Sequence, residues 1–155
     1  MEIKEYLESL GIKFITHEHP AVYTVKEAEN YFSNIKGIHS KNLFLKERKS
    51  KRFYMVIIPF NKNLDLIYFE GVTGDKLKFA NQDNLKEILN VSPGSVSPFN
   101  LINDSEKKTE LIIDKEVWES EFAAFHPNIN TETLELKRDD FHKFVNSLGI
   151  KVSIS

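Results

Sequence analysis

A chain of 155 residues, 41% hydrophobic and 28% charged, has the size and balance of one compact globular domain over residues 1–155, and twelve Phe, five Tyr and one Trp can fill its core. It has no cysteine, which excludes disulfides, thiolate metal sites and a cysteine nucleophile, and a net charge of −2 gives no general attraction for polyanions. The N-terminus MEIKEYLESL has no uninterrupted apolar core, and the longest apolar run, Met55 to Ile58, is too short to cross a bilayer, so the expected compartment is the cytoplasm.

In chain order, Ile3, Leu7 and Leu10 recur at helical spacing, and Gly11 is placed to stop that helix. Lys13 to Ile15 reads as a short strand. Thr24 to Glu27 has the spacing of a capping box, which predicts a helix from about Val25 to Phe32. His39 to Lys46 and Arg52 to Pro59 read as two strands. The second is apolar on both faces from Phe53 to Ile58, which makes it central in a sheet. The turn between them, Lys46 to Arg52, holds five basic residues and one acid; it is either a solvated hairpin or a local nucleic-acid contact.

Asn81 is placed to cap a helix presenting Leu85, Ile88 and Leu89. Val91 to Asn103 is loop-rich, with Pro93, Gly94 and Pro98. Glu110 to Ile113, Glu121 to Phe125 and Thr131 to Leu136 read as short strands. A helix from about Asp139 carries Phe141, Phe144, Val145 and Leu148 on one face, and Gly149 ends it. Strands and helices without strict βαβ alternation predict an α+β domain with a mixed sheet.

Three stretches can carry chemistry. In an extended strand Lys41 shares a face with His39, Leu43 and Leu45, so its ammonium sits at the rim of a core. There it either holds a phosphate or carboxylate as a point charge or simply reaches solvent. In Pro93 to Phe99, Gly94 permits positive φ and Ser97, preceding a proline, must be extended. Such a loop is either an ordinary turn or a set of backbone N–H donors for the negative charge of a tetrahedral ester intermediate. His126, before Pro127, is either a pocket wall or a hydrogen-bonded histidine at a sheet edge. His17 and His19 share a strand face but lack a third ligand at metal-site spacing. No Walker loop, dinucleotide fingerprint or nucleophile elbow is present.

Together these stretches resemble the YbaK/ProX family of trans-editing aminoacyl-tRNA deacylases, also found as the editing insertion of bacterial prolyl-tRNA synthetases. The likeness runs over roughly residues 10–135. It includes Leu10-Gly11-Ile12, His19 to Val25, Glu27-Ala28-Glu29, His39 to Leu45, Pro93 to Phe99, Leu101 to Asp104, Phe125-His126-Pro127, and Asn130-Thr131 with Thr133. It is nearest to the alanine-removing branch, ProXp-ala.

The resemblance implies a mixed, barrel-like sheet surrounded by helices, with no metal and no cofactor. It implies hydrolysis of misacylated tRNA, most of all alanine on proline tRNA, aided by a hydroxyl of the terminal ribose. The implied partners are the acceptor end of aminoacyl-tRNA and prolyl-tRNA synthetase. Lys41 falls on the family's essential lysine, and Gly94, Ser95, Val96 and Ser97 fall in its catalytic loop. Asn42, Pro98, His126 and Asn130 fall at substrate-binding positions. One departure is Lys36-Gly37-Ile38-His39, where the family has two glycines before the histidine. An alternative reading is a non-catalytic tRNA-binding or amino-acid-sensing module.

Overall fold

The computed structural model describes residues 2–21, 35–49 and 51–155, and the helix expected from Val25 to Phe32 lies outside them. Helix α1 (Ile3–Ser9) buries Ile3 and Leu7, one turn apart, and Gly11 ends it at φ 73°. Strand β1 is Ile15–Glu18, later than the Lys13 to Ile15 expected. Its position follows from pairing with β7 (Glu132–Lys137), from Ile15 opposite Glu135 to Glu18 opposite Glu132, and not from an apolar pattern, since its burial is slight.

The described strands form two sheets. Three strands pair antiparallel in the order β1-β7-β6, where β6 is Phe122–Phe125. Five strands form a mixed sheet in the order β4-β2-β3-β5-β8: Leu77–Phe79, Ser40–Glu47, Phe53–Pro59, Thr109–Ile113 and Val152–Ile154. The β2, β3 and β4 pairings are antiparallel, whereas β3/β5 and β5/β8 are parallel.

The barrel-like expectation is thus met by two sheets and not by one closed barrel; they touch at an isolated bridge between Ile38 and Ala123. Gly37 permits that approach. Its φ is 106°, and a Cβ there would lie 2.7 Å from the Phe122 carbonyl oxygen.

All seven residues of β3 are buried, as its two-sided apolar sequence predicts. Phe53, Met55 and Ile57 face the larger core cluster with Phe44, Leu111 and Ile113, while Tyr54, Val56 and Ile58 face a smaller one with Leu45 and Ile112. The larger cluster also takes Leu134 and Leu136 from the three-stranded sheet and Phe141, Phe144 and Val145 from the C-terminal helix α4 (Arg138–Ser147).

The smaller cluster is covered by α2 (Leu66–Thr73) through Phe69, with Leu64 and Leu66 packed beside it. Asp65 caps α2 by accepting from Tyr68 N at 3.1 Å, and Gly74 closes it at φ 77°. Helix α3 (Lys115–Glu119) is capped by Asp114. Asn81 does cap a helical turn, Gln82–Asn84, but the chain then widens into a π-helical segment, Leu85–Leu89, that buries the three expected side chains.

Candidate active site

The loop from Pro93 to Pro98 is held from within. Gly94 takes φ 93°, and Ser97 is extended at φ −159°, ψ 154°, as the glycine and the following proline require. Ser97 then caps a 3₁₀ helix, Pro98–Asn103, that the loop-rich reading did not anticipate; its hydroxyl accepts from Phe99 N at 3.0 Å. Ser97 N donates to Asn100 Oδ1 at 2.6 Å, and Ser95 N to the Ser92 carbonyl at 3.1 Å. The amides of Ser95, Ser97 and Phe99 are therefore occupied by the loop itself. Gly94 and Val96 retain backbone N–H groups that meet no acceptor among the described residues.

The second wall begins at β6. Phe99, after the loop, and Phe125, before His126, meet edge to face with ring centroids 5.8 Å apart, and Phe99 also meets Phe144 at 5.1 Å. A second tie joins the walls directly. Asn100, fully buried, donates from Nδ2 to Asn128 Oδ1 at 2.5 Å, and Asn128 holds φ 69°, a conformation that asparagine tolerates better than most residues.

His126 donates from Nδ1 to the Glu132 carbonyl at 2.9 Å and lies 5.9 Å from the His19 ring, centroid to centroid. Burial pushes its imidazole below the usual histidine range; the Glu132 bond opposes this shift and nearby His19 adds to it. The ring is therefore neutral at pH 7. His19 in turn donates from Nδ1 to the Pro20 carbonyl at 2.9 Å and accepts at Nε2 from the Thr133 hydroxyl at 2.8 Å. His17 pairs with buried Glu135 at 3.2 Å, and Glu135 also accepts from Lys36 N at 2.9 Å.

Lys41 stands second in β2, opposite Ile58, and alternation puts it on the face of Leu43 and Leu45, the side of the smaller cluster. Its ammonium donates to the Lys62 carbonyl at 2.8 Å. Asn42 lies on the other face, that of Phe44 and the larger cluster, within 3.4 Å of the Ser40 hydroxyl.

Between the walls opens a cleft of about 370 Å³, lined by Ser92, Pro93 and Ser95 on one side, Asn128, Ile129 and Asn130 on another, and Lys86, Asn90 and Val91 at its end. Of the expected residues only Ser95 and Asn130 line it. Gly94, Val96, Ser97, Pro98 and His126 frame it from the same two segments, whereas Lys41 and Asn42 come from the sheet. Sequence reasoning missed Asn100 and Asn128. The spacing Ser97-Pro-Phe-Asn100 is that of a capping box and was the available signal, because the Asn100 side chain does accept from the N-cap amide.

The sequence model of the aminoacyl-tRNA editing domain matches residues 19–144, a span that holds both cleft walls, Lys41 and Asn42. This chain belongs to the aminoacyl-tRNA editing domain family. As a member it is an aminoacyl-tRNA deacylase, hydrolysing the ester of misacylated tRNA, and the YbaK/ProX resemblance read from the sequence holds.

The chain is 35% identical over 145 residues to the prolyl-tRNA editing protein ProX of Acetoanaerobium sticklandii, spanning 92% of this chain and 88% of that one. It is 33% identical over 153 residues to prolyl-tRNA synthetase associated domain-containing protein 1 of Mus musculus, spanning 96% and 90%. The solved structure of a proposed trans-editing enzyme for prolyl tRNA synthetase superposes with a TM-score of 0.74 at 18% identity, over 98% of this chain and 92% of that one, a likeness of fold. That structure therefore shares this chain's fold, and the loops that frame the cleft lie within the family match.

Proposed function

We propose that this deacylase removes alanine from proline tRNA, acting in trans as a free-standing single domain in the cytoplasm. The observation that carries the mechanism is the selective occupation of the loop amides. Ser95, Ser97 and Phe99 spend their N–H groups on the loop, which fixes its shape, while Gly94 and Val96 keep theirs. Two fixed donors on a rigid loop suit the oxyanion that forms when water adds to the ester carbonyl. The intermediate collapses by expelling the ribose oxygen, which takes up the proton that the water lost, giving free alanine and intact tRNA. An aminoacyl ester is labile, so placing the water and stabilising one oxyanion suffices without a strong base.

In this reading Lys41, which leaves β2 on the side of the smaller cluster, holds a phosphate of the 3′-terminal nucleotide as a point charge outside the cleft itself. Asn42, Pro98, His126 and Asn130 shape the space for the amino acid. A neutral His126 suits this role, since a charged ring would repel the substrate's ammonium group. A small pocket excludes the proline ring by lack of room. Serine, close to alanine in size, differs by only about 1–3 kcal/mol of contact energy and is the expected leak.

The test is a deacylation panel of Ala-, Ser-, Cys- and Pro-tRNA with purified protein, compared by kcat/KM. Preference for alanine with proline spared supports the reading. Preference for cysteine, or equal hydrolysis of Pro-tRNA, removes the alanine assignment, and binding of tRNA without release of any amino acid returns the chain to a non-catalytic module.

A further inference from the structure

The sheet edge beside the basic turn carries a charge arrangement that folding alone does not explain. Strand β4 pairs with β2 so that Lys46 stands directly opposite Lys78. Like charges facing each other across an antiparallel pair destabilise it. A lysine on an edge strand has a bland explanation, protection of the edge from further pairing, and that accounts for Lys78. It does not account for Lys46, on the inner strand β2.

Two further observations give this pair a direction. Lys46 follows Phe44 by two residues, and Ala80 follows Lys78 by two, so all four side chains share one face of the sheet. Phe44 and Ala80 pack on the larger cluster, which also receives Leu85, Ile88 and Val91 from the segment that carries Lys86 to the cleft. The like-charged pair therefore lies on the cleft's side of the sheet. Arg48 and Lys49 stand exposed in the adjoining turn, and Arg48 N is tied to the Lys76 carbonyl at 2.9 Å, which fastens the turn to β4. Arg52 reaches Asp75 at 3.9 Å, but none of Lys46, Arg48, Lys49, Lys78 and Lys86 forms an ion pair among the described residues.

We propose that the β2–β4 edge, with Lys46 and Lys78 at its centre, binds backbone phosphates of the tRNA acceptor stem and leads its 3′ end over Lys86 to the cleft. The inference rests on tRNA being the substrate and extends contact well beyond the terminal nucleotide. It explains how a chain of net charge −2 holds a polyanion: a local group of basic residues that form no ion pair among the described residues stands at this edge. It also explains the opposed lysines, because backbone phosphates seated against them, one on each, turn a repulsive pair into an attractive site.

The test is the double variant Lys46→Gln/Lys78→Gln, with binding of an uncharged proline tRNA transcript measured across a salt series. Affinity at low salt should fall roughly tenfold, and the slope of log affinity against log salt should flatten by about two, one per lost phosphate contact. The same variant should unfold at an equal or higher temperature, since it removes a repulsion; weaker binding with retained stability separates a lost contact from a damaged fold. Unchanged affinity and slope would overturn the proposal. So would an equal loss in Lys13→Gln/Lys115→Gln, which lowers net charge by the same amount at exposed positions elsewhere. If the wild-type protein binds the transcript through this edge yet releases no amino acid from any charged tRNA, the surface stands and the deacylase reading falls.

Discussion

Asn100 donates from Nδ2 to Asn128 Oδ1 at 2.5 Å while its own Oδ1 accepts from Ser97 N at 2.6 Å, so one buried amide joins the two walls of the cleft. Asn100→Ala leaves the Ser97 N–H buried without an acceptor, at a cost of about 1–3 kcal/mol, and separates the walls. Asn100→Asp keeps the acceptor for Ser97 and loses the donor to Asn128. If wall separation governs turnover, both variants lose kcat/KM, roughly tenfold or more, but the alanine variant loses more stability. Urea unfolding alongside Ala-tRNA deacylation resolves the two effects.

Lys41→Ala is expected to abolish most deacylation while leaving stability within about 0.5 kcal/mol, because the side chain is half-exposed and its bond is to a loop carbonyl. Single-turnover deacylation beside thermal unfolding checks this. Retained turnover would take Lys41 out of the mechanism.

Burial of His126 makes stability depend on pH, and its proposed place in the amino-acid pocket adds a second readout. Its folded pKa lies below the usual 6.5, so the unfolded chain binds the proton more readily. Its contribution is fully present above pH 6.5 and is lost as pH falls from there toward the depressed folded value. The slope from this one group cannot exceed about 1.4 kcal/mol per pH unit. His126→Ala should flatten that part of the stability profile between neutral pH and pH 5, and should relax selectivity toward larger amino acids. Urea midpoints across pH, with the four-substrate panel, test both halves; an unchanged stability slope would contradict the burial argument.

Gly37→Ala should be among the most damaging single-methyl changes in the chain. The new Cβ would meet the Phe122 carbonyl oxygen at 2.7 Å, and φ 106° is strained for any L side chain. A loss of about 2–4 kcal/mol is expected, by analogy with other overpacked and strained sites. Gly74→Ala is the control, because it shares a positive φ but meets nothing within 4 Å, and it should lose clearly less in a thermal unfolding comparison.

Much of this architecture was legible where local chemistry decides. The run from Phe53 to Ile58 announced a strand buried on both faces, and Phe141, Phe144 and Val145 announced one face of the C-terminal helix. Gly94 and Ser97-Pro98 announced the loop conformation. Helix α2 was missed because Leu66, Ile67, Tyr68, Phe69 and Val72 leave no polar face and so no helical period. Strands β4 and β8 have three residues each and exist only through their neighbours. Alternation correctly grouped Lys41 with Leu43 and Leu45, but no local pattern tells which of two clusters that face will meet. The Asn100–Asn128 bond spans 28 residues of chain and belongs to the assembled walls alone.

The bridge at Ile38 makes the neighbouring chain a ruler. Ile38 pairs with Ala123 on one sheet, the His39 carbonyl accepts from Phe60 N at 2.8 Å just past β3, and Ser40 already pairs with Pro59 on the other sheet. The changeover thus occupies a single residue with no slack. Inserting one residue there would either break the bridge or shift β2 by one position, and a shift by one turns every side chain to the opposite face. Lys41 and Asn42 would exchange sides of the sheet. The phase of the whole β2 strand, and with it the side on which each polar group emerges, is therefore counted from Ala123, a residue more than eighty positions further along the chain.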